Sequence, residues 1–102
     1  MKIIKCDSEF IEHELDAAKH YIEKALKYKD KDMVTADLWY NLSLAEMKHV
    51  DLLHEDVMRL IASYRQEHGD PPEKMLFLYE YLHEKHIKCA KEIKVLQGMY
   101  KE

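Results

Sequence analysis

Residues 39–53 read WYNLSLAEMKHVDLL, and this stretch decides the fold because its apolar residues recur every three or four positions. That spacing predicts an amphipathic helix with one apolar face. Glu46 and His49 interrupt the apolar face, one helical turn apart. A carboxylate is costly to bury unless it is paired, hydrogen-bonded or bound to a metal, so the stretch also predicts an interaction of one of these kinds for Glu46.

The composition of the rest of the chain is typical of long helices. The 102 residues include only two glycines and two prolines, and 35% of them are charged. We therefore expect an all-α fold, with residues 1–102 forming a single domain. A chain of this length buries only a modest core, so we also expect a homodimer or a larger homo-oligomer.

Charge and cysteine content argue against several classes of protein. The net charge is -4, and the interspersed acidic and basic residues leave no basic stripe for nucleic acid. The apolar run in MKIIKCDSEF is too short for a signal peptide, and no segment approaches the roughly 18 apolar residues that a membrane span needs. Cys6 and Cys89 lack C-x-x-C spacing, which argues against disulfides and thiolate metal sites. We expect a cytoplasmic protein without nucleic-acid or membrane partners.

Two short segments break the helical pattern. KDKD at residues 29–32 offers aspartates that can cap a following helix. HGDPP at residues 68–72 offers Gly69 to end a helix, Asp70 to cap the next one and prolines suited to its first turn. The sequence thus predicts three helices, near residues 8–29, 32–67 and 72–100.

Each predicted helix carries one apolar stripe when residues are placed about 100° apart around the axis. Glu14 lies at the centre of the first stripe. Glu46 lies at the centre of the second, with His49 beside it, and His86 lies in line with the third. The apolar members are Phe10, Ala17, Ala18, Tyr21, Ala25 and Tyr28; then Trp39, Leu42, Val50, Leu53, Val57, Leu60 and Tyr64; then Met75, Leu78, Tyr79, Leu82, Cys89, Ile93, Leu96 and Tyr100.

The positions of Glu14, Glu46 and His49 relative to the first turn predict that they meet. In an antiparallel hairpin, residues equidistant from the turn face each other. The midpoint of Glu14 and Glu46 is position 30, and that of Glu14 and His49 falls between 31 and 32, both inside KDKD. Alternatives are a buried polar network without an ion, or a more solvated helix face. A Glu-x-x-His spacing alone is weak evidence, because Glu80 and His83 repeat it.

Two carboxylates and one imidazole form a ligand set for Fe, Mn or Zn, without the soft sulfur that favours copper(I). A di-iron site in a four-helix bundle needs about four carboxylates and two histidines. Two copies of this hairpin would supply that set. The predicted architecture is an antiparallel helical hairpin plus a third long helix, with the bundle completed by dimerisation.

The third helix is not expected to complete the site within one chain. His83 and His86 should face residues 55–58, about 13 Å along the axis from the level of the site. They share a helix face and could bind zinc, but H-E-x-x-H spacing is absent, and ordinary interface or solvent histidines are the stronger interpretation. We expect His54 at an interface; His13, His20 and His68 should be exposed.

At these positions the sequence resembles the rubrerythrin-type helix pair of the ferritin-like superfamily. The first helix of that pair carries Glu, then Ala three and Tyr seven residues later, as Glu14, Ala17 and Tyr21 do here; Glu46 and His49 match the Glu-x-x-His of the second. The likeness covers residues 10–54. Because the chain has one such pair, it is more similar to encapsulated ferritins, in which two subunits share a ferroxidase centre.

The resemblance implies a di-iron protein that binds Fe(II) and oxidises it with dioxygen or peroxide. Glu14 and Glu46 would be ligands, one of them bridging, and His49 a terminal ligand. Tyr21 could hydrogen-bond a site carboxylate. The C-terminal KVLQGMYKE contains no recognisable tail for docking in an encapsulin shell. The alternatives are a metal-free helical adaptor or assembly protein and a zinc-stabilised dimer with the same ligands.

Overall fold

The structure is a computed structural model that describes residues 2–102. It contains three helices, α1 (Lys2–Tyr28), α2 (Met33–His68) and α3 (Glu73–Lys101), and the described residues form no strand. The predicted all-α class and the number of helices are confirmed. The main difference is that α1 begins at Lys2 rather than near residue 8.

The ends of α2 follow the local signals in the sequence. Asp32 is the N-cap residue, and its carboxylate accepts a hydrogen bond of 3.3 Å from the backbone N–H of Thr35. At the other end, Gly69 has a φ of 78° and donates its N–H to the carbonyl of Arg65 over 3.0 Å. A positive φ favours glycine, which explains why the helix ends there.

The start of α3 differs from the prediction. Pro72, not Asp70, occupies the N-cap position, and no side chain caps the helix. The carboxylate of Asp70 instead lies 3.6 Å from Nε of Arg65 at the end of α2. The predicted cap is wrong because Pro71 and Pro72 stand between Asp70 and the first helical residue, which places its side chain outside the first turn.

The helices α1 and α2 form the predicted antiparallel hairpin. The hydroxyl of Ser43 donates a hydrogen bond of 2.8 Å to the carbonyl of Ala18. About one helical turn closer to the loop between α1 and α2, the ring centroids of Tyr21 and Trp39 lie 5.4 Å apart. In both pairs the residues are nearly equidistant from the turn, so the register is the one expected from the sequence.

The helix α3 runs parallel to α1 and packs along one side of the hairpin. Two ion pairs mark its alignment with α1, at 2.8 Å between Lys85 and Glu12 and at 4.0 Å between Lys19 and Glu92. The three-helix unit is elongated, with extents of 55 × 18 × 17 Å.

The buried face of each hairpin helix is turned toward α3, which corrects the predicted stripes. On α2 the centre of the buried face lies about 50 to 90° around the axis from Glu46, Leu53 and Leu42. Phe10, placed in the first stripe, is 53% exposed. The prediction failed because it centred the seam on two helices, whereas a third helix fixes which face is enclosed. The buried residues are Ser8, Ile11, Leu15, Ala18, Ile22 and Ala25; Ala36, Ser43, Val50, Val57 and Ile61; and Ile93, Gln97 and Tyr100.

The described residues bear on two features that the sequence argued against, a membrane-spanning helix and a disulfide bond. Over residues 2–102, no helix is long and apolar enough to cross a membrane. Cys6 is exposed, Cys89 is partly buried, and the two thiols are free, as the sequence predicted. Burial raises the pKa of the Cys89 thiol, so this group is a poor nucleophile and a poor metal ligand near neutral pH.

Candidate metal site

The candidate site forms across the helix hairpin. Glu14 projects from α1, while Glu46 and His49 project from α2, one turn apart. The Ser43 hydrogen bond to Ala18 holds the two helices at nearly the same level. The structure therefore brings together the three side chains that the register predicted.

The three groups converge on a small volume. One ligand atom from each of Glu14, Glu46 and His49 lies within 4.8 Å of the others. Nδ1 of His49 is 3.4 Å from a carboxylate oxygen of Glu46 and 3.6 Å from one of Glu14. Good N–H···O hydrogen bonds measure about 2.7–3.2 Å, so these contacts are long for hydrogen bonds between the imidazole and the carboxylates.

The same separations suit ligands of one cation. The donor set contains two carboxylate oxygens and one imidazole nitrogen, which suits Fe, Mn or Zn. The three side chains could thus hold a metal ion and leave coordination positions free for water or further ligands.

The site is open on one side. The side chains of Glu14, Glu46 and His49 are 26%, 18% and 54% exposed. The exposed side is the one away from α3, whose contacts with α2 run through other residues, such as the pairs His54–His83 and Tyr40–Tyr100. The α3 helix leaves this edge of the hairpin uncovered.

Apolar side chains flank the open side of the site. All of them except Leu38 belong to the stripes that the sequence predicted, and in the three-helix unit they are only partly covered. Phe10 and Leu38 are more than half exposed. Trp39, Leu42, Leu53 and Leu60 are of intermediate burial. This uncovered apolar edge has the site at its middle.

Tyr21 lies two helical turns from Glu14 on α1. Its ring is tilted against that of Trp39, with centroids 5.4 Å apart. Within the described residues, no hydrogen bond joins the Tyr21 hydroxyl to Glu14 or Glu46. A role for Tyr21 in orienting a site carboxylate therefore stays a prediction.

The other histidines lie where the sequence placed them. His13, His20 and His68 are exposed. His83 stacks on His54 between α3 and α2, at 4.9 Å between ring centroids. The sequence placed residues 55–58 opposite His83 and His86, so the predicted level of His83 along α2 was accurate to within one helical turn. Neither residue approaches the candidate site.

Two polar contacts near the site were not found from the sequence. Gln97 of α3 donates a hydrogen bond of 3.0 Å to the buried hydroxyl of Ser43, which joins all three helices one turn from Glu46. Asp7 and Asp56 form a second carboxylate pair. Seven residues separate Asp7 from Glu14 and Asp56 from His49, a spacing that could have revealed this pair. Burial raises the pKa of Asp7, and the neighbouring Asp56 carboxyl raises it further.

Comparison of the whole chain with known proteins gives no relative. No protein family, curated protein or solved structure matches this sequence or its fold. The geometry of Glu14, Glu46 and His49 is therefore the structural feature that bears most directly on function.

Proposed function

We propose that this protein binds iron through Glu14, Glu46 and His49 and acts as a ferroxidase. The observation that carries the proposal is the convergence of three ligand atoms from two helices within 4.8 Å. The half-covered site contains two carboxylates whose negative charges lie close together, and a cation would offset that repulsion. The choice of iron rests on the resemblance to the ferritin-like superfamily.

We propose further that a second copy of the chain completes the site. Three protein ligands leave an iron ion with open positions, and the exposed side of His49 faces away from α3. A second hairpin packed against this edge would bury Phe10, Leu38 and the neighbouring apolar side chains. The pair would then supply four carboxylates and two imidazoles within a four-helix bundle, with α3 of each subunit on the outside.

In this arrangement the protein binds and orients its substrate. Nδ1 of His49 is the nitrogen nearest both carboxylates, so the imidazole would be a terminal ligand through Nδ1 and keep its Nε2 proton. Glu14 and Glu46 would balance the charge of the metal, one of them bridging two ions. When bound, ferrous ions supply the electrons that reduce dioxygen or peroxide.

A zinc-stabilised helical assembly protein is the second candidate. It is favoured by the same ligand set, because carboxylate oxygens and an imidazole nitrogen are also zinc ligands. Zinc has no accessible oxidation step, so aerobic oxidation of added Fe(II) distinguishes the two candidates.

The test compares the wild-type protein with Glu46→Gln, which keeps the shape of the side chain and removes its charge. Anaerobic Fe(II) titration followed by analytical ultracentrifugation measures affinity, stoichiometry and oligomeric state. We expect two irons per wild-type dimer. The affinity of the variant should be lower by more than about a hundredfold, since loss of a ligand should exceed the tenfold to hundredfold effect of losing a group that supports a ligand.

The matched control is Glu55→Gln, because Glu55 is an exposed glutamate on the same helix. Its iron affinity should equal that of the wild-type protein. Equal iron binding by wild-type and Glu46→Gln protein would remove Glu46 from the site and contradict the proposal. Absorbance in the near ultraviolet after mixing with air then shows whether bound Fe(II) is oxidised.

A further inference from the structure

The N-terminal half of α3 is thinly packed on the hairpin. The buried residues of α3 are Ile93, Gln97 and Tyr100, all in its C-terminal half. In the first half, Phe77 is 73% exposed. A cavity of about 370 Å³ separates this half from α1 and is lined by residues that include Ile4, Ser8, Met75, Leu78 and Leu82. Contacts other than apolar packing must hold this half in place.

A column of stacked rings provides such a contact. His83 lies between His54 of α2 and Tyr79 of its own helix, with centroid distances of 4.9 and 5.8 Å. The planes are nearly parallel, at 13° and 12°. The Tyr79 hydroxyl donates a hydrogen bond of 3.4 Å to the sulfur of Met58 on α2. The column thus attaches the first half of α3 to α2.

The stacked geometry argues against a shared metal ion. An imidazole binds a metal in the plane of its ring, and two parallel, stacked rings direct their nitrogen atoms along separate planes. His86 lies one turn beyond His83, and its Nε2 is buried with no hydrogen-bond partner in the described part of the chain. A buried nitrogen without an acceptor is disfavoured as a proton donor, so this environment suits the neutral ring.

We propose that His54, His83 and His86 form a pH-sensitive latch that holds the N-terminal half of α3 on the hairpin. Protonation of His83 and His86 places a positive charge inside the stacked column and on a ring whose buried Nε2 lacks an acceptor. Release of residues 73–88 lets these rings reach water, where the protonated form is solvated. It also opens the cavity between α1 and α3.

Some of the charged groups around the latch raise the pKa of His83 or His86, and others lower it. Burial is the main cause that lowers the pKa of His83, with His54 adding to it and Glu84 opposing it. Burial also lowers the pKa of His86, which Lys85 and the other two histidines lower further and Glu12 of α1 raises. The net effect is a lowered pKa for both His83 and His86.

The sign of the pH dependence follows from linkage. A histidine whose pKa is lower in the closed form binds its proton more readily when the latch opens. The closed form has its full stability above the ordinary value of 6.5 and loses it as the pH falls through that value. The Lys85–Glu12 ion pair persists in this range, because its hydrogen bond holds the pKa of Glu12 below 4.5.

Hydrogen exchange of the full-length protein at pH 7.5 and 5.5 tests the latch, after correction for intrinsic exchange rates. We expect residues 73–88 to lose protection at pH 5.5 while residues 89–101 change less. Each histidine that binds its proton only in the open form raises the open population by up to about tenfold at pH 5.5.

His83→Phe keeps a flat ring in the column and removes one titrating group, so its response to pH should be smaller by up to about tenfold. His20→Phe changes an exposed histidine on α1 and should respond like the wild-type protein. His86→Phe removes the other histidine whose pKa burial lowers and provides the same test if His83→Phe does not fold. Protection of residues 73–88 that is independent of pH would overturn the proposal. An equal dependence on pH in His83→Phe and in the control His20→Phe would also overturn it.

Discussion

Replacement of Ser43 by alanine should destabilise the protein far more than its small change in volume suggests. Ser43 has no exposed surface, donates to the Ala18 carbonyl over 2.8 Å and accepts from the Gln97 amide over 3.0 Å. Alanine removes both bonds and leaves the Gln97 amide buried without a partner. An unpaired buried polar group costs about 1–3 kcal/mol, so we expect a loss of that size in the free energy of unfolding.

Urea unfolding at fixed protein concentration measures this loss, since a change in oligomeric state also shifts apparent stability. The exposed Ser63 of α2 provides the control, and Ser63→Ala should stay within about 0.5 kcal/mol of the wild-type protein. Adding Gln97→Leu to Ser43→Ala should restore part of the loss, because the unpaired amide disappears. A loss in Ser43→Ala no larger than in Ser63→Ala would refute the reasoning about the buried junction.

Three further predictions concern the core and two titrating groups. Leu15 is 2% exposed, so Leu15→Ala should lower the free energy of unfolding by about 2–5 kcal/mol; a loss below about 1 kcal/mol in urea unfolding would contradict its place in the core. Burial and Asp56 raise the pKa of Asp7, so the ionised carboxylate destabilises the fold at pH 7. Thermal melts should therefore show Asp7→Asn to be more stable than the wild-type protein at pH 7, and the difference in stability should disappear toward pH 3.8. A variant less stable than wild type at pH 7 would contradict this. The hydrogen bond with Asp37 raises the pKa of Tyr100 to about 12, and Asp37→Asn should return it toward 10 in tyrosinate absorbance titrations referenced to Tyr100→Phe; wild-type titration near 10 would exclude the bond.

The features that local signals control could be predicted from the sequence. Asp32 caps α2 and Gly69 ends it because capping and positive φ depend on neighbouring residues alone. The meeting of Glu14 with Glu46 and His49 was also predicted, since a short turn between two regular helices fixes which residues face each other.

The features that depend on the third helix could not be predicted in the same way. The side on which α3 packs determines which faces of α1 and α2 are buried, and helical periodicity leaves that side open. The contact between Ser43 and Gln97 joins residues 54 positions apart, so no local pattern indicates it. Of the apolar residues assigned to the stripe around Glu46, Val50 and Val57 are buried in the core. Others, such as Leu42 and Leu60, lie on the edge that α3 leaves uncovered.

The most direct test of the proposed site is an anomalous-scattering map from crystals grown anaerobically with Fe(II). We expect a metal peak about 2.0–2.2 Å from carboxylate oxygens of Glu14 and Glu46 and from Nδ1 of His49, close to a two-fold axis between paired hairpins. An iron peak at any other group of side chains, or these three side chains directed into solvent without metal, would contradict the account.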